Sequence, residues 1–266
     1  MNKFAGAAQA VSGSVRQVVS NQDGPYKDLE KQVRKYAAAE YRRPIAEHTH
    51  KAFQTVKRFV SSYTATVIPA AEPESPLTSS HRGGAINVIL DSGCGTGEST
   101  LHLARKFPDY PVIGIDKSAV RLDKAAQSAN RLIVKEQTAQ DLPRNAFYVR
   151  AELIDFWRLT LDKVRAGQWI IPYHALYYPN PWPKQSEAGR RFHLHPVFPT
   201  LLQLAQKTEL RTNWEVYAQE FAQAARLLLP GANITGQPFQ TDEPITAFER
   251  KYNEAHQTLW RVIIKH

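Results

Sequence analysis

From residue 85 onward the chain alternates short apolar runs with longer amphipathic ones, and this alternation restricts the fold more than any other feature. INVILD (86–91), PVIGID (111–116), AFYVRA (146–151) and YHALYY (173–178) read as strands, while STLHLARKF and AVRLDKAAQSANRL between them have helical composition. TELRT (208–212), WEVYAQEFAQAARLL, ITGQPF and TLWRVII continue the series. A helix between two strands returns the chain to the end it left, so the strands run parallel and a doubly wound α/β sheet is predicted. No apolar run approaches the roughly 18 residues of a membrane span, so no membrane is expected as a partner.

The region before residue 85 has a different texture. Residues 26–60 lack glycine and contain only Pro44, which predicts two helices joined near Arg43-Pro44. The organisation expected is a basic, mainly helical N-terminal extension (1–68), a Pro/Ser/Gly-rich linker (69–84) and a main domain (85–266). The first twenty residues are too poor in bulky apolar side chains for a signal core and are expected to fray. Residues 1–60 carry eleven Lys and Arg against five acids, six of the chain's nine net positive charges. Such clustering reads either as a solvated helical face or as a surface that attracts phosphates. The single Cys rules out an internal disulfide and predicts a reducing, cytoplasmic setting.

INVILDSGCGTGEST places Gly93, Gly95 and Gly97 between a strand and a helix, where glycines let a ligand approach the backbone. A dinucleotide fingerprint would need a glycine where Glu98 stands, and a pyrophosphate at the helix N-terminus. Asp91 and Glu98 would repel that pyrophosphate and suit a cation. S-adenosylmethionine, with a sulfonium, an ammonium and no phosphate, fits such a loop. Asp116, ending the second strand, supplies an acid for ribose hydroxyls. Cys94 has no neighbouring His and reads as a small packing residue.

LYYPNPWPK (176–184) sets three prolines around Asn180 and Trp182, which predicts a stiff corner at the carboxyl end of the fourth strand. Open α/β sheets bind ligands at that edge. This corner resembles the F-P-D-P-W-P-K signature of the tRNA (guanine-N7)-methyltransferases. In the same order follow Asp91–Gly97 for E-x-G-x-G-x-G, Asp116, Gly189-Arg190-Arg191 for K-R-R, Arg211–Ala218 for A-T-D-W-E-x-Y-A, and Thr246–Lys251 for T-x-F-E-x-[RK].

The resemblance implies a mostly parallel seven-stranded sheet of the Rossmann-like methyltransferase type. It also implies transfer of a methyl group from S-adenosylmethionine to guanine N7 in the tRNA variable loop. Carried over residue by residue, Asp91, Gly93, Gly95, Gly97, Asp116, Glu152 and Asn180 would hold the cofactor. Glu152 stands one place after Ala151, where the family's acid aligns. Asn180 and Lys184 would serve catalysis, and Lys184, Asn213, Thr246 and Glu249 would contact the nucleotide. Asn180 and Asn213 each stand where the family has Asp, so two negative charges are missing. Two other readings stay open: methylation of an exocyclic amine, since Asn180-Pro181 before an aromatic resembles N-P-P-[YF], and an RNA-binding member without turnover. His48 and His50, like His193 and His195, lack companions at metal-ligand spacing, so no metal is expected and surface or strand-facing roles are assigned.

Overall fold

The computed structural model describes residues 17–67, 84–125, 127 and 143–266. Most of the expected tail and of the 69–84 linker lie outside the described residues, as does the end of the AVRLDKAAQSANRL helix. Two helices, α1 (Leu29–Ala37) and α2 (Glu47–Val67), precede a short pairing of β1 (Ile86–Asn87) with β5 (Trp169–Ile170). The main sheet comprises β2 (Ile89–Ser92), β3 (Val112–Asp116), β4 (Ala146–Arg150), β6 (His174–Tyr177), β7 (Lys207–Thr212), β8 (Asn233–Phe239) and β9 (Leu259–Lys265). Helices α3 (Glu98–Lys106), α4 (119–125), α5 (Leu153–Arg165), α6 (Phe198–Leu202), α7 (Glu215–Leu228) and α8 (Ala247–Glu254) connect them.

The seven strands lie in the order β4-β3-β2-β6-β7-β9-β8, parallel except for β9, which runs against both neighbours. Alternation of side chains along the strands shows why both faces are covered. Ile89, Val112, Ala175 and Tyr177 join one apolar cluster, whereas Leu90, Ile113, Ile115 and Leu176 join the other. A strand with apolar side chains on both sides needs a helical layer on each, which is the doubly wound solution. Pro238 fits because β8 is an edge strand, where one missing N–H is tolerated.

Strand order reverses beside β2: the chain passes to β3 and β4 on one side, then to β6 and β7 on the other. The carboxyl ends of β2 and β6 are therefore the topological switch point, where such sheets leave a crevice. The glycine loop follows β2 and the proline corner follows β6. Leu29, Val33, Phe53, Val56 and Val60 of the two N-terminal helices are buried in the same cluster as Leu90 and Trp157. The extension thus contributes to the core of the domain beside it.

Candidate cofactor and acceptor site

The glycine loop is built by backbone conformation. Gly93, Gly95 and Gly97 all have positive φ (79°, 57° and 83°), which L side chains rarely adopt. At Gly97 a Cβ would also lie 2.6 Å from Tyr148 Cε1 and 2.8 Å from Ala125 Cβ, so glycine is required twice over. The Gly93 and Cys94 amides bond the Ile115 carbonyl, tying the loop to β3. Cys94 is buried, and burial pushes its thiol well up, in keeping with a packing role.

Asp91 lies under this loop and is 1% exposed. Its Oδ2 accepts bonds from Ser99 Oγ (2.7 Å) and Thr100 Oγ1 (2.6 Å), while its buried Oδ1 has no partner. Burial pushes the carboxyl up to about 6 against those two bonds, and the charge of Asp116 adds to the rise. Ser99 and Thr100, in the first turn of α3, went unremarked in the sequence; only their place directly after Glu98 signals them.

The other acids are already compensated. Asp116 Oδ2 accepts from Gly95 N (3.1 Å), and its Oδ1 accepts from Ser118 N (2.7 Å) and faces Arg121 Nη2 at 3.3 Å. Glu98 pairs with Arg250 at 2.8 Å. The expected repulsion of phosphate by Asp91 and Glu98 together therefore reduces to Asp91, whose hydrogen-bond partners are both neutral.

A cavity of about 220 Å³ opens above the loop, lined by Gly93, Cys94, Gly95, Thr96, Glu98 and Ser99. Arg121, Tyr177, Tyr178 and the Thr246–Phe248 and Lys251 part of the tail complete it. Of the expected residues, Thr246 thus joins Gly93 and Gly95; its Oγ1 also caps α8 by accepting from Glu249 N (3.0 Å). Glu152 is exposed at the N-terminus of α5, its N–H bonded to Thr49 Oγ1 (3.2 Å). Asn213 Nδ2 donates to Gln257 (3.0 Å), a residue lining a separate cleft of about 690 Å³.

Glu249 departs from expectation. It is 0% exposed, and its carboxylate accepts from Tyr178 OH (2.9 Å), Arg211 Nη1 (2.8 Å) and Ile245 N (2.7 Å). With its oxygens held inside the protein it docks α8 onto the sheet, and direct contact with a nucleotide is not its role here. Arg211 also bonds Glu209 at 2.8 Å and lies 4.8 Å over the Tyr177 ring, a role its place in the Arg211–Ala218 motif does not signal.

The proline corner, expected to be stiff, follows β6 as a turn of unusual backbone. Tyr178 and Trp182 adopt positive φ (49° and 46°), and Asn180 Oδ1 accepts from Trp182 N at 3.3 Å. Asn180 and Lys184 are exposed. Trp182 has the Arg190 guanidinium 4.4 Å from its ring centre. Arg191 is fully buried: its Nη1 donates to both oxygens of Glu220 (2.8 and 2.7 Å), and its cation lies 4.7 Å over Trp214. His193 corrects the surface assignment. It is buried, with Nε2 2.7 Å from Glu220 Oε2, and burial holds the imidazole below its ordinary range. Given Arg191 beside Glu220, a neutral His193 donating from Nε2 satisfies the group. Among the described residues no cluster of His, Cys, Asp or Glu is arranged to hold a metal, and no helix is long and apolar enough to cross a membrane.

A mostly parallel sheet with a reversed penultimate strand, a glycine loop at its switch point and a buried acid beneath define a protein of the Rossmann-like methyltransferase class. Residues 86–262 match the family Methyltransf_4, described as "Putative methyltransferase", and the chain belongs to that family. The tRNA (guanine-N(7)-)-methyltransferase of Mycobacterium leprae (strain TN) is 27% identical over 238 residues, 86% of this chain and 96% of its own length. The enzyme of the same description from Mycolicibacterium gilvum is 26% identical over 196 residues, 68% of each chain. A solved structure described as an antibiotic related methyltransferase covers 69% of this chain and 90% of its own at 16% identity, with a TM-score of 0.45.

Proposed function

We propose that this protein transfers a methyl group from S-adenosylmethionine to guanine N7 of tRNA, in the variable loop. The observation that carries the cofactor reading is the unpartnered, buried Oδ1 of Asp91 beneath the glycine loop. An ammonium is the group such an oxygen lacks, since a buried anion left without a partner is costly. The acceptor reading is supported by the names of the relatives above and by the chain's net charge of +9, which suits a polyanion. A cytoplasmic setting agrees with both.

When bound, S-adenosylmethionine supplies an electrophilic methyl on a sulfonium. The guanine N7 lone pair forms the new bond as the carbon–sulfur bond breaks, so the positive charge passes from sulfur to the base. N7 carries no proton, so the protein needs no general base, and its work is positioning. In this reading Asp91 anchors the ammonium and the Gly93–Gly97 backbone lets the ligand close. Asp116 and Glu152 serve the nucleoside. Asn180 and Lys184 border the acceptor, Thr246 lines the glycine-loop cavity beside it, and Glu249 holds the tail in place. The exocyclic-amine reading has less support, because the relatives named above are described as guanine-N(7) enzymes and Asn180, although its Oδ1 can accept a second bond, is followed by Pro181-Trp182-Pro183 and not by two prolines and then an aromatic.

Incubation with methyl-labelled cofactor and bulk tRNA, followed by nucleoside analysis, tests the proposal. Label in 7-methylguanosine is the expected result; label in an adenine or cytosine amine, or none at all, would overturn it.

A further inference from the structure

The family match begins at residue 86, yet residues 20–26, well upstream of it, are fastened to the proline corner. Ser20 Oγ donates to the Pro183 carbonyl at 2.7 Å, and Gln185 N donates to Asn21 Oδ1 at 3.4 Å. Gln22 is 7% exposed; its Nε2 donates to Glu220 Oε1 (2.6 Å) and its Oε1 accepts from Arg191 Nη2 (3.1 Å). Tyr26 N donates to the same Glu220 oxygen at 2.6 Å. Arg191 in turn gives Nε and Nη2 to the Trp182 carbonyl, at 3.2 and 2.9 Å.

The corner depends on these contacts. Its three prolines have no N–H, so it cannot brace itself by a backbone ladder. The carbonyls of Trp182 and Pro183 instead end on Arg191 and Ser20, and Trp182 holds a positive φ that persists only where the surroundings over-determine it. Gln22 and Glu220 fix the plane of the Arg191 guanidinium, so the upstream stretch acts on the corner twice, directly through Ser20 and indirectly through Arg191.

We propose that residues 20–26 are a positioning strap for the proline corner, which makes this upstream segment a working part of acceptor binding. It sets the geometry that Asn180 and Lys184 present, and leaves the cofactor pocket as it is. The consequence for methyl transfer rests on the function proposed above; the mechanical coupling does not.

Hydrogen–deuterium exchange on the full chain, without RNA, reads that coupling. Ser20→Ala and the Ser20→Ala/Gln22→Ala double variant should speed exchange at the hydrogen-bonded amides of Trp182 and Gln185. Exchange at the glycine loop and calorimetric affinity for S-adenosylhomocysteine should stay at the parent value, and Ser20→Thr, which keeps the hydroxyl, should restore the corner. On tRNA, kcat should fall by about tenfold with KM for the cofactor unchanged. Unaltered exchange at the corner would overturn the strap, as would loop exchange and cofactor affinity moving in parallel, which marks general loosening. Faster corner exchange with undiminished kcat would overturn its role in acceptor positioning. If the parent transfers no methyl to tRNA, the function proposed above fails, while the exchange result still decides the strap.

Discussion

Asp91 is placed against its own stability, and the conflict is measurable. A carboxyl raised from 3.8 to about 6 by burial stabilises the fold while protonated; that contribution is fully present below the unfolded value and is lost as pH rises through about 6. At pH 7 its ionised form therefore costs about 3 kcal/mol. Asp91→Asn should make the ligand-free protein more stable at pH 7, by ~1–3 kcal/mol in denaturant unfolding, while abolishing cofactor binding in calorimetry. In the parent, cofactor affinity should weaken as pH falls below about 6, because the ammonium then meets a neutral acid. Asn180 poses the opposite problem, a charge missing where positive charge develops. Its oxygen already caps Trp182 N, so Asn180→Asp preserves the turn, and methylation of tRNA guanine should rise about tenfold, ~1.4 kcal/mol. An equal or lower rate would show the amide to be suited to this enzyme's acceptor. The acids at 91 and 116 were legible as ligand candidates from their place at the ends of strands, whereas the partners that neutralise Asp116, and their lack at Asp91, were not.

Helix α8 shows how one element closes a site through a contact remote in sequence. Arg211 at the end of β7 pairs with Glu249 of α8 and with Glu209 of its own strand, both at 2.8 Å, and Tyr178 at the proline corner bonds the same Glu249 oxygen as Arg211. Burial pushes Glu209 up, but Arg211, Tyr173 and Lys207 outweigh it and leave the carboxyl below its ordinary range. Its share of stability is thus present above the unfolded value and lost as pH falls below it. Arg211→Met should leave the buried Glu249 without a cation and Glu209 with only Lys207, 3.8 Å away, and cost about 3–5 kcal/mol, read by thermal or denaturant unfolding. A loss of a few tenths would mean that α8 is held by its apolar contacts instead. The sequence showed α8 as a motif, T-x-F-E, and the helix is there with Thr246 as its cap; that its acid faces inward follows from Arg211, which stands where the family has Ala.

The two N-terminal helices join basic surface to apolar core. Because Leu29, Val33, Phe53, Val56 and Val60 are buried among the residues of the main domain, deleting the extension would expose core as well as remove charge. The RNA contribution is better read with the fold intact. Lys31 and Lys35 are exposed and four apart, so they share one side of α1, and the exposed Lys27 lies in the turn just before it. Replacing all three with Gln should lower the slope of log affinity for tRNA against log salt by about 2, if each meets a phosphate. An unchanged slope would place the RNA elsewhere.

Fold class, glycine loop and proline corner could be read in the chain because each is set by local chemistry: apolar alternation, glycines with positive φ, and imides without N–H groups. The buried network of Gln22, Arg191, His193 and Glu220 could not, since its members lie as much as 198 residues apart and each looks like surface on its own. Burial made Arg191 and Glu249 structural and left Asp91 without a counter-charge. Ionisable side chains take their roles from whichever groups the fold brings within hydrogen-bond reach, and those distances exist only once the sheet has closed.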